Sequence, residues 1–134
     1  MVAEHPMSIS EVVEGYFRYV NLGDWENWLS LFEENAVVIE PIGTIEGLEN
    51  LRQAVEVLKK VYTSFQNILI SYFTEGDQAS AQTHISAVTA SGEKVEVDVC
   101  NIYTIRNGKI IHQKNYLDTR ELQPFLDELK KQGY

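Results

Sequence analysis

The stretch that decides the fold is Ala36-Val37-Val38-Ile39-Glu40-Pro41-Ile42-Gly43, in which an aliphatic run leads directly into a glutamate and a proline. Four consecutive apolar residues are typical of a strand that is buried on both faces. Because Pro41 cannot donate to a sheet ladder, the strand must end or turn there. The Glu40 carboxylate is therefore expected at the end of a buried strand, partly removed from water.

Glu40 is the first candidate for chemistry. Loss of water disfavours the charged form of a carboxylate and raises its pKa, which suits a general base. The alternative is a strand-end residue that reaches solvent or pairs with Arg52 or Lys59. The sequence alone leaves both interpretations open.

Helical patterns flank this strand, which is predicted over residues 36–40. Ser8 and Glu11 have capping-box spacing ahead of a first helix that Gly23 closes. Asp24 would cap a second helix over residues 24–35, and a loop at 41–47 would precede a third helix over 48–62.

The second half of the chain predicts an antiparallel sheet. Strands are expected over residues 65–75, 78–90, 94–106 and 109–117, separated by glycine-containing turns, with a final helix over 120–132. Helices followed by a long meander predict an α+β fold with the helices packed on one face of a curved sheet. We expect one domain over residues 1–134, with residues 1–7 as a flexible tail.

The strand over 94–106 alternates clearly, so its two faces can be assigned. Asn101 falls on the otherwise largely apolar inner face, together with Val95, Val97, Val99, Tyr103 and Ile105. Cys100 and Ile102 lie in the middle of the opposite, mixed face. A broad sheet face that no helix covers is typical of a dimer interface, so a homodimer through this outer face is expected.

Composition narrows the classes of partner. The net charge of −9 argues against a nucleic-acid backbone or an anionic membrane as partner. The single cysteine excludes an internal disulfide and fits a reducing cytoplasm, and no apolar signal core or membrane span is evident. The three histidines lack metal-ligand spacing and no glycine-rich phosphate loop exists, so neither a metal nor a cofactor is expected.

Three stretches carry a resemblance to a known family: VEGYFRYVNLGD at 13–24, LFEENAVVIEPIG at 31–43 and CNIYTIRNGKI at 100–110. The chain resembles the nuclear transport factor 2-like superfamily, and within it the ketosteroid isomerase and SnoaL-like polyketide cyclase branch. The resemblance spans roughly residues 7–120. It implies a cone-shaped, cystatin-like fold, a curved antiparallel sheet with three N-terminal helices on its concave face.

The resemblance also implies roles for site residues. Glu40 stands where ketosteroid isomerases place the aspartate base, Tyr16 where they place an oxyanion donor, and Asn101 where they place a second donor. Glutamate would set the base about 1.5 Å further out, and asparagine donates through a neutral amide. Tyr16 could equally be a core tyrosine, and Asn101 a buried amide satisfied by the backbone.

Strand 78–90 is expected to make the pocket more polar than a steroid site, because it brings Gln82, His84 and Ser86 to positions that the isomerases fill mainly with apolar residues. If His84 points inward, it is a second acid/base group that would orient substrate or shuttle the proton. The alternative is an exposed or structural imidazole. The third helix offers Ala54 and Val55 where the isomerases carry aromatic support for the tyrosine.

The register of the last hairpin is open. A two-residue turn at Asn107-Gly108 would put His112 and Lys114 inside, whereas a type I turn with a glycine bulge would put Gln113 and Asn115 inside. The family resemblance favours the bulged register. Asp118, at the end of the last strand, is a further acid/base candidate or the N-cap of the terminal helix.

The sequence therefore supports three hypotheses. The first is a small-molecule enzyme of the isomerase, cyclase or dehydratase type, with Glu40 as base, Tyr16 and Asn101 as enolate donors and His84 as helper. The second is a non-catalytic binder of a small organic molecule in the same cavity. The third is a protein-interaction module.

Overall fold

The computed structural model describes residues 6–134, so His5 lies outside the described residues. Four α-helices, six strands and one 3-10 helix follow one another in this stretch. In chain order they are α1 Ile9–Leu22, α2 Trp25–Leu29, β1 Phe32–Glu40, β2 Gly43–Glu46, α3 Leu48–Val61, β3 Tyr62–Glu75, β4 Gln78–Thr89, β5 Lys94–Arg106, β6 Lys109–Leu117, the 3-10 helix Thr119–Leu122 and α4 Gln123–Lys131.

The predicted caps of α1 are confirmed. The Ser8 hydroxyl accepts from the Glu11 backbone N–H at 3.1 Å, and the Glu11 carboxylate accepts from the Ser8 N–H at 2.9 Å. Gly23 ends the helix with φ 70°, a left-handed conformation that glycine adopts without steric cost. The helix buries its apolar face, including Tyr16, against the sheet.

The predicted second helix was too long. Asp24 does cap α2, but α2 ends at Leu29 and β1 already begins at Phe32. Phe32 pairs with Ile110 of β6, and sheet pairing has overridden the helical periodicity of this segment. The predicted loop over 41–47 was also incomplete, because β2 folds back on β1 and pairs Gly43 with Glu40.

The six strands form one curved, open sheet in the order β2-β1-β6-β5-β4-β3. β1 and β6 run parallel, and every other neighbouring pair is antiparallel. The predicted α+β architecture, with N-terminal helices on the concave face of the sheet, is confirmed. β5 and β6 have the predicted bounds, whereas β3 starts at Tyr62, directly after α3.

The last hairpin combines parts of both predicted registers. Asn107 and Gly108 both have positive φ, 52° and 73°, as in a two-residue type I′ turn. A bulge follows, because Ile105 pairs with Ile110 but Thr104 pairs with His112, leaving Ile111 as the extra residue. The bulge restores the register in which Gln113 and Asn115 face inward.

Both ends of the stretch over residues 6–134 are tied to the core. Met7, expected in a flexible tail, packs against the core cluster beside α1. At the other end, the Glu128 carboxylate accepts from the Ser91 N–H at 3.0 Å, and the Gln132 amide donates to the Lys60 carbonyl at 2.9 Å. These bonds hold α4 across the end of the sheet.

Among residues 6–134, no helix combines the length and the apolar character that crossing a membrane requires.

Candidate active site

A cavity of about 400 Å³ lies between the helices and the inner face of the sheet. That volume falls within the range of ordinary small-molecule sites. Its wall is mainly apolar and aromatic, and α1, α2, α3 and α4 all contribute to it. The rings in the wall are Tyr16, Trp25, Trp28, Phe32, Tyr62, Phe65 and Phe125. Ala54 and Val55 also line it, on α3 as expected.

A row of three polar residues crosses the inner face of the sheet at this cavity. Asn101 of β5 pairs directly with Asn115 of β6. The parallel register that joins Val38 to Gln113 and Ile39 to Lys114 brings Glu40 beside Asn115 on the next strand. The cavity lining includes Glu40, Asn115 and Asn101. A carboxylate and two amides thus lie side by side on three adjacent strands.

The amides of this row are fixed by hydrogen bonds to one another. Asn115 Oδ1 accepts from Asn101 Nδ2 and also from Gln113 Nε2, the latter at 2.8 Å. Because its oxygen is engaged twice, Asn115 has its amide nitrogen left for Glu40. Asn101, expected to donate to a ligand, uses one of its two amide hydrogens to hold Asn115.

Tyr16 is joined to the same network. Gln113 Nε2 donates to the Tyr16 hydroxyl oxygen at 3.0 Å, which leaves the Tyr16 O–H free to donate elsewhere. Burial raises the pKa of Tyr16 to about 12; the Gln113 hydrogen bond opposes the rise and the negative charge of Glu40 adds to it. The nearby Tyr103 hydroxyl also lowers the pKa of Tyr16. The Tyr103 hydroxyl itself forms no hydrogen bond of full geometry with any group in residues 6–134. Tyr16 is therefore a neutral donor at physiological pH.

Glu40 is half-buried in the cavity wall, and burial raises the pKa of its carboxyl group. The interaction with the Asn115 side chain opposes part of this rise. The alternative in which Glu40 pairs with a nearby cation is wrong: Arg52 pairs with Glu26 at 2.6 Å, and Lys59 pairs with Glu56 at 3.0 Å. A carboxylate whose pKa is raised by burial is a stronger base than an exposed one, which suits proton abstraction.

His84 does not reach the cavity, and the expectation that it helps there is wrong. It lies on the outer face of β4, where its two ring nitrogens meet Asp98 at 2.8 Å and Glu96 at 2.6 Å. Gln82 and Ser86 share that outer face, while Ala81, Thr83 and Ile85 point inward. The expected polar contribution from this strand is therefore absent.

Asp118 does not line the cavity either. It accepts from the Arg120 backbone N–H at 3.0 Å and pairs with the Arg120 side chain at 2.8 Å. The N-cap interpretation is confirmed, although the element it caps is the 3-10 helix and not α4.

Sequence reasoning missed several cavity residues. The sequence predicts Tyr62 at the end of a helix, but Tyr62 lines the cavity. Burial is the main cause that raises the pKa of Tyr62, and the negative charge of Glu40 raises it further. Phe125 of α4 stacks on Tyr62 with ring centroids 5.6 Å apart and forms another part of the wall. The apolar spacing of the terminal helix indicates that one of its faces is buried, but it does not indicate that this face lies against the cavity.

Within the described residues, no three His, Cys, Asp or Glu side chains lie close enough together to hold a metal ion.

Comparison with known proteins supports the family and the fold. The SnoaL-like domain profile matches residues 13–113. No match was found among curated protein sequences.

Solved structures share the fold at low sequence identity. An NTF2-like protein of unknown function from Burkholderia pseudomallei superposes with a TM-score of 0.80 at 13% identity, covering 87% of this chain and 95% of that one. TerC co-crystallised with polyporic acid gives a TM-score of 0.79 at 16% identity, covering 88% and 97%. AclR, a putative hydroxylase from Streptomyces galilaeus, gives 0.73 at 15% identity, covering 92% and 83%.

At these identities the solved structures establish the fold alone. The profile match covers most of the chain and includes Tyr16, Glu40, Asn101 and Gln113. The chain belongs to the SnoaL-like domain family, and its fold is that of the NTF2-like structures.

Proposed function

We propose that this protein is a small-molecule enzyme in which Glu40 removes a proton next to a carbonyl group. The observation that carries the proposal is a carboxylate with a raised pKa and no cationic partner among residues 6–134, set beside fixed hydrogen-bond donors in an apolar cavity. Isomerisation, intramolecular aldol cyclisation and dehydration all pass through the enolate that this step forms. The presence of polyporic acid in crystals of TerC supports small-molecule chemistry in this fold.

Tyr16 is the proposed donor to the enolate oxygen. Its oxygen already accepts from Gln113, so its own proton is free for a ligand. Charge that develops on the substrate oxygen would be stabilised by this donor more strongly than in water, because the wall around it is largely apolar.

Asn115 is the proposed second donor, and Asn101 becomes a positioning residue. The amide nitrogen of Asn101 is directed at Asn115, whose own nitrogen faces the Glu40 side of the row. Asn101 and Gln113 would therefore fix the orientation of the Asn115 amide. Asn115 would in turn fix the orientation of the Glu40 carboxylate.

Deuterium exchange tests this proposal without knowledge of the natural substrate. A panel of neutral cyclic ketones and 1,3-diketones would be incubated with the protein in deuterated buffer, and exchange at the α carbon followed by NMR. We expect Glu40→Gln to reduce catalysed exchange by about 10²- to 10⁴-fold and Tyr16→Phe by about 10²- to 10³-fold.

Glu96→Gln is the matched control, because it removes a carboxylate from the outer face and should leave exchange unchanged. If Glu40→Gln retains wild-type exchange with an intact fold, Glu40 is not the base.

One observation favours a second candidate, a non-catalytic binder of a small molecule. The Asn101 amide, which would serve a catalyst as a direct oxyanion donor, is engaged within the protein. A binder would show no catalysed exchange in the wild type, and Glu40→Gln would keep most of the affinity. An interaction module with a side-chain-filled interior is disfavoured by the open cavity.

We also propose a homodimer through the outer face of the sheet. Cys100 and Ile102 lie on this face, together with the exposed side chains Ile68, Phe73 and Tyr116, which are 49%, 70% and 50% exposed. Exposed apolar side chains on an uncovered sheet favour self-association. Light scattering at micromolar concentration should give twice the chain mass, and Ile102→Glu should halve it; a monomeric wild type would contradict the proposal.

A further inference from the structure

The charge composition of the cavity wall bears on the class of ligand. Across residues 6–134, the ionisable side chains in this wall are Glu40, Tyr16 and Tyr62, with no lysine, arginine or histidine among them. An anionic group in the cavity would therefore meet a carboxylate and no counter-charge.

Several cationic side chains of the helices and turns are engaged on the surface. Three pairs illustrate this: Arg52 with Glu26 at 2.6 Å, Lys59 with Glu56 at 3.0 Å and Arg106 with Asp77 at 2.9 Å. Lys109 donates to the Ser30 carbonyl at 2.5 Å, outside the cavity lining. Each of these charges would have to leave its present partner to serve an anionic ligand.

The aromatic rings in the wall favour a ring-containing ligand. Trp25 and Trp28 pack edge to face with centroids 5.5 Å apart, and Trp28 continues onto Phe32 at 4.8 Å. Ring faces carry partial negative charge and ring edges partial positive charge, so the rings of a ligand can stack on this wall or pack edge to face against it. The net charge of −9 adds a long-range field of the same sign as the charge of Glu40.

We propose that the cavity takes ring-containing ligands that are neutral or positively charged and rejects carboxylates and phosphates, with Glu40 as the residue that sets this selection. The inference rests on the proposed small-molecule function and names its ligand class. Two like charges at about 6 Å and an effective dielectric constant of about 20 repel by an amount equivalent to roughly a hundredfold in affinity. A substrate attached to a phosphate-bearing carrier would have to keep that phosphate outside the cavity.

Three naphthalene probes of similar shape test the selection: 2-naphthylmethanol, 2-naphthylmethylammonium and 2-naphthoate. Affinities would be measured by calorimetry at about pH 8, where the ordinary glutamate and carboxylic acid groups are ionised. The chain has two tryptophans, and both line the cavity, so their indole N–H signals in NMR report whether a probe binds there.

We expect 2-naphthoate to bind at least tenfold more weakly than the other two probes in the wild type, and Glu40→Gln to reduce this difference to about twofold. Glu96→Gln, on the outer face, should leave the wild-type difference intact. Equal affinity of all three probes would overturn the charge selection while leaving the proposed function standing. If the difference in affinity survives Glu40→Gln, Glu40 does not set the selection. If no probe shifts the indole signals, both the charge selection and the proposed small-molecule function are overturned.

Discussion

The two faces of the sheet each carry a cluster of polar side chains, and the two clusters shift the pKa of a glutamate in opposite directions. On the inner face, burial raises the pKa of Glu40, and no described cation pairs with it. On the outer face, hydrogen bonds from His84 and Ser86 lower the pKa of Glu96. The two glutamates, on β1 and β5 with β6 between them, thus differ in their access to water and to a counter-ion.

The difference indicates where chemistry is placed. The outer cluster is an exposed ion pair of a kind that contributes little to stability. The inner cluster holds a carboxylate in a less favourable state, and a fixed amide network compensates for part of that cost. Strongly perturbed groups in a cavity are candidates for function, whereas satisfied groups at the surface are not.

Removing the central amide should have the largest effect on the inner cluster. Asn115→Leu would leave Asn101 Nδ2 and one hydrogen of Gln113 Nε2 without their acceptor in a buried site. Each buried group that loses its partner costs about 1–3 kcal/mol, so we expect the free energy of unfolding to fall by about 2–6 kcal/mol. Urea denaturation monitored by circular dichroism measures it.

The neighbouring residue provides the control. Lys114 is exposed on the outer face, and Lys114→Ala should change the free energy of unfolding by about 0.5 kcal/mol or less. If the two substitutions cost the same, the amide network does not hold the inner face together.

Most of the fold could be predicted from the sequence because local signals agreed with tertiary packing. The Ser8 and Gly23 caps, the bounds of β5 and β6 and the inward Asn101 all follow from spacing. The segment around residues 30–35 could not be predicted from helical periodicity, because its structure depends on pairing with β6, far along the chain.

The candidate site was predictable only in part. Glu40 and Tyr16 were identified through a motif and a resemblance, whereas the placement of Asn115 depends on the bulge at Ile111. The error over His84 was avoidable: Ala79, Ala81, Ile85 and Ala87 alternate along β4, and that period places His84 on the opposite face.

Neutralising one carboxylate on each face should change stability in opposite directions. The folded-state pKa of Glu40 lies above its unfolded value of about 4.3, so the folded protein binds this proton more tightly and stability falls as pH rises between the two values. Glu40→Gln removes this cost and should raise the melting temperature at about pH 7.5, with the gain fading towards pH 4.

Glu96 gives the opposite sign, because its folded-state pKa lies below the unfolded one. Its contribution is present above the unfolded value and lost as pH falls through the folded value, so Glu96→Gln should lower the melting temperature slightly at about pH 7.5. A decrease of similar size in both variants would mean that Glu40 has a stabilising partner, contrary to a cavity wall to which residues 6–134 contribute no cation.

Substitution of His84 should have the smallest effect on stability, and that effect should depend most strongly on pH. Hydrogen bonds to Asp98 and Glu96 raise its pKa, so its contribution is present below the unfolded value of about 6.5 and is lost as pH rises through the folded value. Thermal denaturation of His84→Ala should therefore show a small deficit against the wild type near pH 6 that disappears at about pH 9. Gln82→Ala, on the same face and without charge, should show no such pH dependence. A deficit for His84→Ala that is equally large at both pH values would show that the imidazole stabilises the sheet by packing, and the contrast between the two faces would then rest on Glu40 and Glu96 alone.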